Sequence, residues 1–173
     1  GILMENSISK KPEQKNADDY ISQLKKKSVR LSNEQLKTRI LRFLDDNCVM
    51  TLATCVDNQP RATALRYRHK DFNIYSFTEG GGKIKNIKKN PNVALSIYGE
   101  YTGFDSVVSL QAWGHAEIVF PKEKEKYQKI RDSLDLENRA DLKRLGIMKI
   151  PSMKIITISL RRARFLSFPE HLM

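Results

Sequence analysis

RATALRYRHKDFNIYSFTEGGGKIKNIKKNP, residues 61–91, is the stretch around which the chain is organised. Two runs with strand composition, Arg61 to Arg68 and Phe72 to Phe77, flank a polar turn at His69-Lys70-Asp71. The triplet Gly80-Gly81-Gly82 follows, and Lys83 opens a short helical pattern that stops at Asn90-Pro91. Glycines let backbone N–H groups approach a ligand closely. A helix N-terminus adds unpaired donors and a partial positive charge. Lys83 brings a full charge to the same corner, and Arg61 can bring a bidentate one from the neighbouring strand. A phosphate suits such a corner best. Gly-rich turns also occur as plain turns and surface lysines are commonly solvated, so the loop alone leaves both readings open. A nucleotide P-loop fits less well. In the G-x-x-x-x-G-K-S/T spacing, Phe77 takes the place of the first glycine, and Ile84 follows the lysine where a metal-binding hydroxyl is needed.

Outward from this stretch the same β character continues. Cys48 to Val56 reads as a strand, Asp57 to Pro60 as a turn and Arg61 to Arg68 as the return, which makes a hairpin. Arg61, Thr63, Leu65 and Tyr67 alternate with Ala62, Ala64, Arg66 and Arg68. The alanines either pack beneath larger neighbours or leave room for something to lie against the backbone; periodicity favours the former. After Pro91, the residues Val93, Leu95 and Ile97 form one apolar face. Ser106 to Phe120 is a long strand whose faces separate: Val108, Leu110, Ala112 and Ala116 against Ser109, Gln111, Trp113 and His115. The first set is expected in the core. The second meets a planar ligand or a partner subunit, or is a solvent face. Met153 to Phe168 is a final β-rich run.

Helical periodicity brackets these strands. Ser32 and Gln35 have capping-box spacing, and Leu36, Ile40, Phe43 and Leu44 repeat on one face, so a helix is expected to cover the end of a sheet or barrel. A weaker helical pattern spans Asp18 to Val29, and Ile2 to Asn16 is expected to be mobile. Lys122 to Leu136 and Glu137 to Leu145 form a helical excursion ending at Gly146. The order is helix, roughly five strands with one inserted helix, the excursion, then a last strand. Many antiparallel strands joined by hairpin turns point to a barrel. Residues 1–30 are expected as an extension and 31–173 as one domain.

The net charge of +11 admits anionic partners. The lysines are scattered rather than striped, so a dedicated nucleic-acid site is not expected; Tyr67 between Arg66 and Arg68 is the one local hint of such a surface. No apolar run reaches the length of a membrane span and no secretory leader is visible. Cys48 and Cys55 lie an odd number of positions apart in one strand, on opposite faces, and do not pair. Unpaired thiols fit a reducing cytoplasm. No metal ligand set is expected. No side chain stands out as a general acid or base. His69 and His171 are expected in solvent, and His115 is the best placed of the three histidines.

The run from about Asp45 to Phe120 resembles the pyridoxamine 5'-phosphate oxidase-like family of FMN-binding split barrels. PRATALR at Pro60 to Arg66, IYSFTEGGGKIKNIKKNPNVAL at Ile74 to Leu95 and WGHAEIV at Trp113 to Val119 carry the resemblance. It implies a mainly β split barrel of Greek-key-like antiparallel strands with flanking helices, and a homodimer with FMN at the subunit interface. It implies that Arg61 and Lys83 hold the FMN phosphate, that Ala62, Thr63, Ala64 and Arg66 lie against cofactor or substrate, and that Tyr75 and Ser76 touch the cofactor. Gly82 stands where a side chain is frequent, so its contact would be through backbone. Ser109 falls on a flavin-touching position, and Gln111 shares its face. The oxidases proper carry a C-terminal tryptophan and an Arg-Leu-His-x-Arg motif. Here Trp113 is the sole tryptophan and the chain ends FLSFPEHLM, so oxidation of pyridoxamine phosphate itself is not expected. The implied function is that of an FMN-binding oxidoreductase of unassigned small-molecule substrate. The alternative on the same scaffold is a non-catalytic flavin or haem binder, for which His115 or a tail histidine would supply the axial ligand.

Overall fold

The computed structural model describes residues 16–136, 139–147 and 153–173. The sharpest local signal is realised in full: helix α2 (Asn33–Asp46) starts with a reciprocal capping box. Gln35 N–H donates to Ser32 Oγ (3.2 Å), and Ser32 N–H donates to Gln35 Oε1 (2.9 Å). Its apolar stripe buries Ile40, Phe43 and Leu44. Helix α1 (Ala17–Lys26) precedes it, capped by Asn16, and docks through buried Leu24 and a Tyr20–Phe104 ring contact. The segment expected to be mobile lies almost entirely outside the described residues.

Strands β1 (Val49–Val56) and β2 (Gln59–Arg66) form the expected hairpin. Asp57 and Asn58 turn it in the left-handed region, with φ of 51° and 59°. That is the conformation a two-residue hairpin loop needs and these residue types tolerate. The run Arg61–Arg68, however, is not one strand, and His69-Lys70-Asp71 is not the turn. The strand stops at Arg66. After Tyr67 a new strand β3 (Arg68–Lys70) pairs with β4 (Asn73–Thr78) around a tighter turn at Asp71-Phe72.

The reason is global. Helix α3 (Gly82–Lys89), β5 (Asn92–Tyr98), β6 (Val108–Val119), the short helices α4 (Lys124–Ser133) and α5 (Ala140–Arg144), and β7 (Lys154–Ser167) complete the described chain. Its seven strands make one antiparallel sheet in the order β2-β1-β5-β6-β7-β4-β3. Consecutive strands β2 and β3 are therefore its two opposite margins, joined by one residue. A flat sheet cannot satisfy that; the sheet curls until its margins meet at Tyr67. Tyr67 is 3% exposed. Its N–H donates to the Cys48 carbonyl (2.9 Å) and its hydroxyl to the Leu44 carbonyl at the end of α2 (2.8 Å). Burial, and then the charges of Cys48, Asp45 and Asp46, raise the phenol's pKa well above its ordinary value. Ser76 Oγ, fully buried, donates to the Arg66 carbonyl (2.8 Å) across the same corner.

The inner face of the curl is the core. Leu52, Leu95, Ile97, Leu110, Ala112, Ile156 and Ile158 are all at most 2% exposed. Helix α3 closes one end: Ile84 and Ile87 enter the core, and Asn86 Nδ2 donates to Thr54 Oγ1 on β1 (3.0 Å). The two long strands β6 and β7 pair along their length with one bulge, opposite Trp113/Gly114, where Arg161 is the extra residue on β7. Among the described residues both cysteines are free, and no helix is long and apolar enough to cross a membrane.

Candidate functional site

Arg61 pairs with Thr54 near the hairpin end of β2, and α3 begins beside it. Gly82 is the first residue of that helix. A Cβ on it would stand on the Arg61 guanidinium, 2.5 Å from Nη2 and 2.6 Å from Nε. The missing side chain is thus what lets the guanidinium lie over the helix start. Gly81, at φ 101°, turns the chain into α3 without a side-chain cap. Lys83 Nζ curls back and donates to the Gly80 carbonyl (2.6 Å), and Lys154 Nζ reaches across from β7 to the Glu79 carbonyl (2.6 Å), so the glycine loop is fastened from both sides.

Two cations therefore share one corner. Burial first, and then the charge of Arg61, lowers the Lys83 pKa from its ordinary value. Among the described residues neither Arg61 nor Lys83 has a carboxylate within ion-pairing distance. The N–H groups of Gly82 and Lys83 find no backbone acceptor there either, since the first bond of the helix runs from Ile84 to Gly81. Two positive side chains, two unengaged amides and a helix start, with no anion among the described residues facing them, are groups that could hold an anion.

The other expected residues divide between four places. Ala62 and Ala64 are exposed on the outer face of β2, not packed under neighbours. Strand register extends that face sideways: Ala64–Thr51–Ser96–Gln111–Arg164 in one row and Ala62–Ala53–Ala94–Trp113–Arg162 in the next. Gln111 thus shares a surface with Ala64 but lies three strand spacings away, ~14 Å. Ser109 is half-buried on the same side of β6, in the row beyond Gln111. Thr63, half-buried, belongs to the inner alternation with Arg61 and Leu65. Ser76 is different again. Its hydroxyl is sealed in the interior and engaged by Arg66, so only its backbone could reach a ligand.

Arg66 and Tyr75 line a cavity of about 200 Å³ between the β3–β4 edge and α4. Sequence reading missed its other walls: Arg68, Arg131, Arg139 and Tyr127. A signal existed, because Tyr127 and Arg131 are one helical turn apart on α4. The Tyr127 hydroxyl donates to the Met153 carbonyl (2.5 Å). Burial, then Arg66 and Arg139, lowers the Arg68 pKa, while Asp141 and Asp135 oppose that shift. Arg139 is ion-paired with Asp141. Burial raises the Tyr75 pKa.

The histidines depart from expectation. His69 is not in solvent: its side chain is 13% exposed, with Nε2 2.5 Å from Asp45 Oδ1 and Nδ1 3.0 Å from the Asp71 carbonyl. His171 is partly buried, its carbonyl accepting from Val29 N–H and its Nδ1 enclosed without a partner among the described residues. His115 is half-buried on β6 between Asn92 and Ser159. Among the described residues no His/Cys/Asp/Glu group could hold a metal.

A curled antiparallel sheet with a helix-plugged end and a cationic corner at that plug is a split β-barrel. The chain belongs to the pyridoxamine 5'-phosphate oxidase family, whose model matches residues 36–166. No curated protein matches the sequence. Among solved structures, it is similar to a FAD-binding protein from Mesorhizobium loti (21% identity, 74% of this chain and 90% of that one, TM-score 0.60). General Stress Protein 26 from Bacillus anthracis is also similar (22% identity, 76% and 98%, TM-score 0.54). So is ChuZ from Campylobacter jejuni (17% identity, 87% of this chain but 63% of that one, TM-score 0.64). At these identities the likeness is one of fold.

Proposed function

We propose that this protein binds FMN, with the phosphate between Arg61 and Lys83, and works as an oxidoreductase on a small molecule. The observation that carries this reading is the Arg61–Gly82–Lys83 corner, where two neighbouring cations and two first-turn amides face no anion. Holding like charges together costs free energy, and a dianionic ester offsets that cost. FMN, when bound, supplies hydride chemistry. The chain's own part is to hold and orient. Arg61 and Lys83 would fix the phosphate, while Ala62 and Ala64 leave the outer face flat enough for a planar ring. Gln111 would offer a hydrogen bond at the far end of that face.

A second copy of the chain would cover the ring. Val49 and Tyr98, 55% and 54% exposed on this same outer face, would lie under it. The arginine-walled cavity beside Tyr75 would admit a small anionic substrate. Free thiols agree with a cytoplasmic setting.

The test is a spectrum and a titration. Protein expressed with excess riboflavin should be yellow, and FMN should bind far more tightly than riboflavin, which lacks the phosphate. Equal affinity for the two, or a Soret band in place of flavin absorption, would overturn the reading. Bleaching of the bound flavin by a reduced nicotinamide cofactor would establish the redox half of the proposal.

A further inference from the structure

A groove of about 300 Å³ lies between α2 and the β7 bulge, apart from both the Arg61–Lys83 corner and the arginine cavity at α4. Its floor is apolar: Leu36 and Ile40 from α2, Phe72 from the β3–β4 turn and Leu160 from β7. These side chains are continuous with the main core, so the floor is preformed. The rim is cationic. Lys37 stands on one bank and Arg161 and Arg162 on the other.

The bulge creates that second bank. In a regular strand two successive side chains point to opposite faces. The extra residue breaks the alternation, and Arg161 and Arg162 are both exposed. Among the described residues Arg161 pairs with no carboxylate, and Arg162 lies 3.9 Å over the Trp113 ring. Lys37 has only Glu34, 3.4 Å away on the exposed side of the helix. Among the described residues no acidic side chain lines the groove. Nor does any of the large exposed apolar side chains, so nothing protrudes there to enter a bilayer.

We propose that this groove binds a free anionic amphiphile, a small molecule with a short apolar body and one carboxylate or phosphate head. The body lies on Leu36, Ile40, Phe72 and Leu160, where its burial is favourable. The head meets Arg161 and Lys37. The volume is at the lower end for small-molecule sites, roughly 300–1,000 Å³, which sets the size of the ligand.

The experiment is calorimetric titration of octanoate into FMN-saturated protein, with octanol and octyltrimethylammonium as neutral and cationic counterparts. Octanoate should bind at one site per chain and the other two should not. Arg161→Glu and Lys37→Glu, both at exposed positions, should each weaken octanoate at least about tenfold, the lower end for a charge-assisted hydrogen bond, without lowering the melting temperature. Equal binding of octanol, unchanged affinity in both variants, or displacement of octanoate by added FMN would overturn the proposal. Flotation with phosphatidylglycerol vesicles that is lost in the same variants would overturn it too, by assigning the cations to a lipid surface.

Discussion

Arg39 and Arg61 are the same residue type put to opposite uses. Arg39, on α2, donates from Nε and Nη2 to the two carboxylate oxygens of Glu170 at 2.6 and 2.8 Å, and Ser167 Oγ donates to the same carboxylate. Its guanidinium also lies 4.9 Å over the Phe165 ring. Arg61 lies over a glycine beside a lysine and faces no carboxylate. The first arginine has its charge answered within the fold by Glu170 and clasps the C-terminal tail to the barrel, while its Nη1 is buried without a partner among the described residues. The second is exposed, and its charge meets no carboxylate among the described residues. Beside Lys83 it makes a cationic pair open to an anion from outside the chain.

That contrast can be broken by mutation. Arg61→Ala and Lys83→Ala should each weaken FMN binding by ~1.5–3 kcal/mol, the range for charged hydrogen bonds, and neither should lower the melting temperature. Fluorescence titration and thermal melts on the same samples check both halves. Arg39→Ala should do the reverse: a loss of about 2 kcal/mol in unfolding free energy by denaturant titration, with the FMN dissociation constant unchanged. Gly82→Ala is subtler. The new methyl pushes away the mobile end of Arg61 rather than backbone, so binding should weaken by about 1 kcal/mol at near-constant stability.

The smallest effects are in pH, and the two regions should fail at opposite ends of the scale. The Glu170 pKa is lowered, by Arg39 first and then by Ser167, partly opposed by burial. Its contribution to stability is complete above the ordinary carboxylate pKa of 4.5 and is lost as pH falls through the lowered value. Acid melts should show that loss shrinking in Arg39→Ala. At the corner, affinity for FMN should rise from pH 5 to 7 as the phosphate takes its second charge near pH ~6. It should fall in alkali as Lys83, whose pKa is below 10.5, loses its proton. In Lys83→Ala the alkaline limb should disappear.

Much of this was legible in one dimension. The capping box at Ser32, the alternation of Val93, Leu95 and Ile97, and the glycine–lysine corner are local patterns, and local physics determines them. The end of the strand at Arg66 was not legible. Tyr67 continues the alternation of its neighbours and has good strand propensity, so nothing short-range marks it. Only the meeting of two sheet margins makes it a corner. The walls of the α4 cavity were hidden for a related reason: nothing short-range links Arg131 and Arg139 to Arg66, Arg68 and Tyr75, with which they line it. The bulge at Arg161 was equally invisible, because a strand's count against its partner exists only once the partner is chosen.

The single-residue joint at Tyr67 carries a mechanical consequence. A slip of β2 along β1 would drag β3 along β4 by the same step and pull the phenol from its carbonyl on α2. The two margins are thereby kept in phase, and one aromatic ring acts as the timing mark for the strands between them. Lengthening the joint by one residue would invert which side chains of one margin look inward.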